Sequence, residues 1–241
     1  MRKKLRSRIV AGVVIALLTA YFFCLPRDLF KGTSYSTVVT DRNGELLGAR
    51  RFPPPDTVPE KFKTALIEFE DRWFAYHPGV NPVAIARAAA GNIKAGQITS
   101  GGSTITMQVI RMSRRRERNI GQKIIEAILA TRLELRCSKR EILSLYASHA
   151  PFGGNVVGLE AASWRYYGRP PDELSWGEAA TLAVLPNAPA EIHPGKNRTR
   201  LLEKRNRLLG SLYKHGHIDS LDFVLACDEP LPGEPVALPQ E

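Results

Sequence analysis

The chain opens on "MRKKLRSR", where five of eight residues are cations, and continues into an almost uninterrupted apolar run, "IVAGVVIALLTAYFFCL", from Ile9 to Leu25. Such a run constrains everything after it, because it is at the short end of what spans a bilayer and has no place in water. It is read as a retained anchor over residues 9–25 rather than a cleaved signal. It is long for a signal core, and no small-x-small cleavage site follows. The basic tail, residues 1–8, stays on the cytoplasmic side, so everything after Pro26 lies outside. Whatever chemistry the chain performs is then extracytoplasmic.

The 241 residues are 44% hydrophobic and 24% charged, which suits a globular protein and excludes disorder throughout. The net charge of +10 is partly concentrated in "RMSRRRERN", Arg111 to Asn119. A run like this is most often a solvated face, with nucleic acid as the usual second reading. An exported chain seldom meets nucleic acid, so anionic head groups or a phosphorylated lipid are the better partners. Cys24 lies in the anchor, and nothing in the sequence supports a disulfide between Cys137 and Cys227. No Cys/His spacing suggests zinc, so a metal would have to be held by carboxylates.

After the anchor, "YSTVVTDRNGELLGARRF" alternates apolar and polar residues around Asn43-Gly44, which predicts a short hairpin within a linker over residues 26–57. "PPPDTVP" breaks the chain, and from there to about residue 225 the pattern is helical. "NPVAIARAAAGNIKAG" has Asn81 as N-cap, Pro82 at N1 and Gly96 at its end. A second helix is expected from Ser103. A third runs from near Asn119 to Leu135, with Ile124, Ile128, Leu129, Ala130 and Leu133 as its buried side. A fourth starts at Ser138, whose capping box is completed by Glu141. "LSWGEAATLAVLP" and "TRLLEKRNRLLGSLYKHG" are further helices, and the proline-rich end, residues 226–241, reads as a tail or linker.

Two stretches carry residues that make poor packing faces. In "EDRWFAYHPGV", a helix would set Glu70, Phe74 and His77 on one stripe with Asp71 beside them. In "SGGSTITMQVIRM", two glycines precede a helix start at Ser103 and Thr104, where free N–H groups and the dipole suit a phosphate. Thr104, Gln108 and Arg111 follow one another down that helix. Lys123 and Glu126 stand at i and i+3 on the next. Taken singly these are a structural histidine, an ordinary cap and a surface ion pair.

Together and in order they are more. "EDRWFAYHPGVNPVAIARA", "GGSTITMQ", "QKIIEAILATRLELRCSKREIL", "APFGGNVVGLEAASWRYYG" and "WGEAATLAVLPNAPAEIHP" resemble the five successive motifs of the peptidoglycan glycosyltransferase domain of class A penicillin-binding proteins. "TMQV" and "APFGGN" look most like the penicillin-binding protein 1C branch. The resemblance implies a mainly α, lysozyme-like domain, placed at residues 58–225, that polymerises lipid II into β-1,4 glycan strands on the periplasmic face of the bacterial cytoplasmic membrane. Glu70 matches the glutamate regarded as the base that deprotonates the acceptor's sugar hydroxyl, and Glu126 matches the second glutamate, assigned to metal or leaving-group assistance. Asp71, Phe74, His77, Ser103, Thr104, Gln108, Arg111 and Lys123 match substrate-binding positions. The resemblance makes no cofactor a requirement and leaves open a divalent cation such as Mg or Mn at Glu126. Its partners would be lipid II, the growing glycan strand, membrane lipids and other cell-wall synthases, with no nucleic acid.

The sequence also departs from the family's pattern. Met107, Met112, Gln122 and Ala147-Ser148 stand where glutamine, asparagine, arginine and Leu-Asn are usual. Gln122 removes a cation from the expected pyrophosphate site. No transpeptidase module follows within these residues, so the chain reads either as a monofunctional polymerase or as a piece of a longer protein. The rival readings are a lytic transglycosylase or muramidase, which has no use for a pyrophosphate cluster, and a non-catalytic scaffold that holds lipid II.

Overall fold

A computed structural model describes residues 2–33, 39–40, 46–48, 55–96, 101–116, 119–153 and 156–233. It is mainly helical. Among the described residues, β1 (Val39–Thr40) and β2 (Leu46–Gly48) pair antiparallel, Val39 with Gly48 and Thr40 with Leu46. The Asn43-Gly44 turn expected between them lies outside the described residues.

Helix α1 (Arg2–Phe23) carries the apolar run, and its apolar side chains from Ile9 to Leu18, with Phe22 and Phe23, are exposed. No helix among the described residues is long and apolar enough to cross a membrane. The basic residues occupy the first turns, and residues 9–23 rise only about 22 Å against a hydrocarbon core of about 30 Å. The foot of α1 is tied to the helical body. Tyr21 and Thr131 hydroxyls meet at 3.1 Å, the Arg132 guanidinium lies 5.2 Å from the centre of the Phe22 ring, and its Nε donates to the Phe22 carbonyl at 3.1 Å.

The body forms two groups of helices. In the first, α2 (Glu60–Glu70), α8 (Trp176–Val184), α9 (Arg198–Lys214) and α10 (Ser220–Asp228) pack together. Helix α8 is central because its alanines, Ala179, Ala180 and Ala183, let neighbours approach closely, and it is buried along nearly its whole length. Glu68, buried on α2, takes Arg72 at 2.6 Å and His215 Nδ1 at 3.0 Å, and accepts from the Ser211 hydroxyl, which fastens α2 to the end of α9. In the second group, α4 (Ile105–Arg114) lies against α5 (Ile120–Glu134) and α6 (Lys139–His149). Helix α7 (Leu159–Tyr167) touches both α6 and α8.

Helix α3 (Pro82–Ala95) begins and ends where its caps predict. Asn81 Oδ1 accepts from Ala84 N–H, and Gly96 is left-handed at φ 63°. Ser138 and Glu141 form the expected reciprocal box on α6, and Ser175 and Glu178 form another on α8. All three cysteines are free.

Two expectations need correction. Ile124 and Ile128 are not on the buried side of α5. They are 58% and 48% exposed, while Leu129, Ala130 and Leu133 carry the packing. The apolar circumference of α5 is wider than its contact with α4, and the surplus forms an open stripe with Ile120 on the helix that holds the foot of α1. The packed unit also runs past residue 225. Helix α10 continues to Asp228, Ala226 and Leu231 are buried, and the buried Arg205 donates to the Cys227 and Glu229 carbonyls at 2.9 and 2.6 Å.

Candidate active site

Helix α2 ends at Glu70, so the stripe "EDRWFAYHPGV" is not one helix face. Asp71 caps α2, and a 3-10 turn, Phe74–Tyr76, follows. Glu70 therefore stands at a helix end where the two groups of helices meet. Gln108 of α4 donates Nε2–H to its Oε2 at 2.6 Å, and Asn187, in a 3-10 turn after α8, offers Nδ2 to Oε1 at 3.4 Å. Lys204 of α9 in turn donates to Asn187 Oδ1 at 2.8 Å. Burial pushes the Glu70 carboxyl above its ordinary value of 4.5. The hydrogen bonds from Gln108 and Asn187 and the charge of Lys204 pull it partly back, while Asp71 adds to the rise. A carboxylate whose proton affinity is raised by its surroundings is a better proton acceptor than an ordinary one. Tyr146 is fully buried behind it. Burial first, and then the charge of Glu70, hold the phenol protonated.

Asp71, Phe74, His77 and Thr104, expected to bind substrate, are turned inward. Their exposures are only 7%, 2%, 8% and 2%. Asp71 accepts from His77 Nε2 at 2.9 Å and from the Ile105 backbone N–H at 3.1 Å. Thr104 donates its hydroxyl to the Gly79 carbonyl at 2.6 Å and caps Met107 N–H. The loop after Glu70 is thus bolted to the start of α4. At the helix start expected to suit a phosphate, the Ile105 N–H is already used by the Asp71 carboxylate, which leaves the Ser103 hydroxyl beside Arg111. Helix α4 also starts two residues later than expected, at Ile105, with Thr104 as its cap.

Glycine is required in this bolt. Gly79 has φ 88°, and a Cβ there would lie 2.6 Å from the Ala130 carbonyl oxygen. Lys139 closes the loop from the far side, donating to the His77 carbonyl and to Glu134, both at 2.8 Å, with its ammonium 4.3 Å from the Phe74 ring centre.

Arg111 lies three residues beyond Gln108 on α4, so it shares that residue's face. Its guanidinium grips Glu126 of α5 with contacts of 2.7 to 3.1 Å and reaches Ser103 Oγ at 3.0 Å. Glu126 does not pair with Lys123, whose side chain makes no hydrogen bond or ion pair among the described residues. Lys123 and Gln122 are half-buried near the start of α5, where Asn119 caps Gln122 N–H. The donor set does not fit a protein-held divalent cation at Glu126. Both its oxygens are engaged by Arg111, and among the described residues no group of three or more His, Cys, Asp or Glu side chains could hold a metal.

Asn187 and Lys204 escaped the sequence reading. Asn187 lies in the quoted stretch "WGEAATLAVLPNAPAEIHP", and Lys204 lies in a helix rich in cations. Only packing of α9 beside α2 and α8 sets them against Glu70. The departure at Ala147-Ser148 has a packing explanation. Ala147 is buried, Ser148 donates back to the Ser144 carbonyl, and both line a cavity of about 340 Å³ with Pro55, Glu160 and Asp172, apart from every candidate residue.

The family model described as Transglycosylase matches residues 42–213. The chain is 43% identical to penicillin-binding protein 1C of Escherichia coli (strain K12) over 194 residues, which are 80% of this chain and 25% of that protein. It is 37% identical to penicillin-binding protein 1A of Aquifex aeolicus (strain VF5) over 238 residues, 92% of this chain and 33% of that one. With penicillin-binding protein 1A of Pseudomonas aeruginosa PAO1 the identity is 42% over 175 residues, 72% of this chain and 21% of that one. The chain thus spans a fifth to a third of the length of these relatives. A match of this extent, at these identities, means that the chain belongs to the transglycosylase family of class A penicillin-binding proteins.

Proposed function

We propose that this chain is a membrane-anchored, lysozyme-like peptidoglycan glycosyltransferase that polymerises lipid II and releases undecaprenyl pyrophosphate. The observation that carries the reading is a desolvated carboxylate with raised proton affinity, Glu70, held through Gln108 on the helix whose next turn presents Arg111. Glu70 takes the proton from the acceptor's 4-hydroxyl as that oxygen attacks the donor's anomeric carbon. The pyrophosphate leaves with its electron pair against Arg111 and Lys123, needing charge rather than a proton donor. Ser103 adds a hydroxyl beside Arg111. Glu126 acts by holding the Arg111 guanidinium in place, a carboxylate–guanidinium pair being geometrically specific.

The raised Glu70 also suits a second reading, a lytic enzyme in which this group is a general acid. Its pH dependence has the opposite sign, since an acid must be protonated and a base ionised. Lys123, a cation with no partner among the described residues, favours the synthetic reading. Lys123→Ala is expected to lower polymerisation initial rates, and Gln122→Arg to raise them, because a charge-assisted hydrogen bond is worth about 1.5–3 kcal/mol. Initial rates at several lipid II concentrations check this. Silence of both substitutions would move the pyrophosphate away from the start of α5.

The exposed apolar length of α1 and the open stripe of Ile120, Ile124 and Ile128 support a lipid-facing side. In the proposed arrangement α1 crosses the cytoplasmic membrane once, with local thinning and with Arg6 and Arg8 reaching the head groups. The helical domain then lies on the periplasmic side. Protein expressed in cells should resist carbonate extraction, and protease added to spheroplasts should reach residues after Pro26. Recovery of the chain in the soluble cytosolic fraction would contradict this arrangement.

A further inference from the structure

We propose that Lys204 is a positioning residue for Glu70 that acts through the side-chain amide of Asn187. The inference rests on the reading of Glu70 as the base and adds two residues to its surroundings. Asn187 is exposed at the end of a 3-10 turn, so nothing in its own burial fixes which way its amide faces. A lysine ammonium has only donors. By donating to Oδ1 at 2.8 Å, Lys204 selects the orientation in which Nδ2–H₂ points to Glu70 Oε1 at 3.4 Å. The flipped amide would set an oxygen against the carboxylate.

The arrangement gives the ionised form of Glu70 a donor and a nearby positive charge without neutralising it in a direct ion pair. A base must keep its lone pair available, and a direct lysine contact would bind it. The lysine is itself held. It is half-buried, its ammonium lies 5.8 Å from the centre of the Phe69 ring, and Arg200, Arg207 and Glu191 surround it together with Glu70. The groups that face Glu70 are Gln108 from α4, Tyr146 from α6, Asn187 from the turn after α8, Lys204 from α9 and its own neighbour Asp71. Of these, only Lys204 is a cation. Its removal therefore favours the protonated carboxyl, and so does removal of the Asn187 donor.

The test is a carbon-13 titration of the glutamate carboxyls in the whole chain in detergent, with the Glu70 signal assigned by its absence from Glu70→Gln. In Lys204→Met and in Asn187→Ala the Glu70 signal should titrate at higher pH than in the parent protein. Lys204→Arg should return it toward the parent. Asn187→Ala changes an exposed side chain and reads the relay even where Lys204→Met does not fold. Parent-like titration in Asn187→Ala and in any folded Lys204→Met overturns the proposal. The acid limb of the lipid II polymerisation rate should move in the same direction. A chain whose Glu70 signal shifts as stated but which makes no glycan upholds the coupling and overturns the glycosyltransferase reading alone.

Discussion

Glu70→Gln is expected to abolish glycan polymerisation, by 10²-fold to 10⁴-fold or more on the usual scale for a lost general base, while the protein stays folded. The amide keeps the shape of the side chain: its oxygen can accept from Asn187, and Gln108 can turn its own amide to accept from the new N–H group. Its effect on stability has a defined sign. Burial raises the folded-state pKa of Glu70 above 4.5. The ionised carboxylate therefore carries a stability cost that appears as pH rises from the unfolded value through the folded one. The amide has no such cost, so the melting temperature at neutral pH should be unchanged or higher. The parent's rate should rise with pH through the Glu70 titration, from a midpoint above that of an ordinary carboxylate. A rate that falls through the same range would identify Glu70 as an acid and favour the lytic reading.

The second large effect is on the fold. Asp71→Ala should cost about 3–5 kcal/mol, the range for breaking a buried ion pair or strong hydrogen-bond pair, and lower the melting temperature by on the order of 10 °C. Asp71 is 7% exposed and is the acceptor for both His77 Nε2 and Ile105 N–H. The truncation strands both donors in the interior. Asp71→Asn, which retains one acceptor oxygen for Ile105, should cost less. Combined with His77→Ala, Asp71→Ala should cost less than the sum of the two single changes, because each alone leaves a partner unpaired. Thermal unfolding of the four proteins gives the cycle. Strict additivity would mean that the two side chains do not act as a pair.

The helix ends were legible where the signal is local. Asn81-Pro82 and Ser138 with Glu141 act on backbone groups within a turn, and each caps its helix as its spacing predicts, while α5 starts beside Asn119 as expected. The stripe from Glu70 to His77 was misread because its periodicity matches a helix by chance. Asp71 ends α2, and its partner Ile105 lies 34 residues away. Those residues lie close together, but Asp71, Phe74 and His77 are packed into the interior beside Glu70. Nothing local announces that placement, because it depends on which side of the Glu70 loop α4 occupies. Ile124 and Ile128 were misplaced for the reverse reason. Hydrophobic spacing marks a face that avoids water without saying whether protein or lipid covers it. Asn187 and Lys204 come from segments 117 and 134 residues after Glu70, and the pattern of neither segment points to the other.

The most direct test of the central claim is the product made from purified, labelled lipid II by the whole chain in detergent or liposomes. The expected products are β-1,4 glycan chains longer than the donor and released polyprenyl pyrophosphate, with neither formed by Glu70→Gln. Lipid II that is bound but returned unchanged, or preformed glycan that is cut while no strand grows, would contradict it.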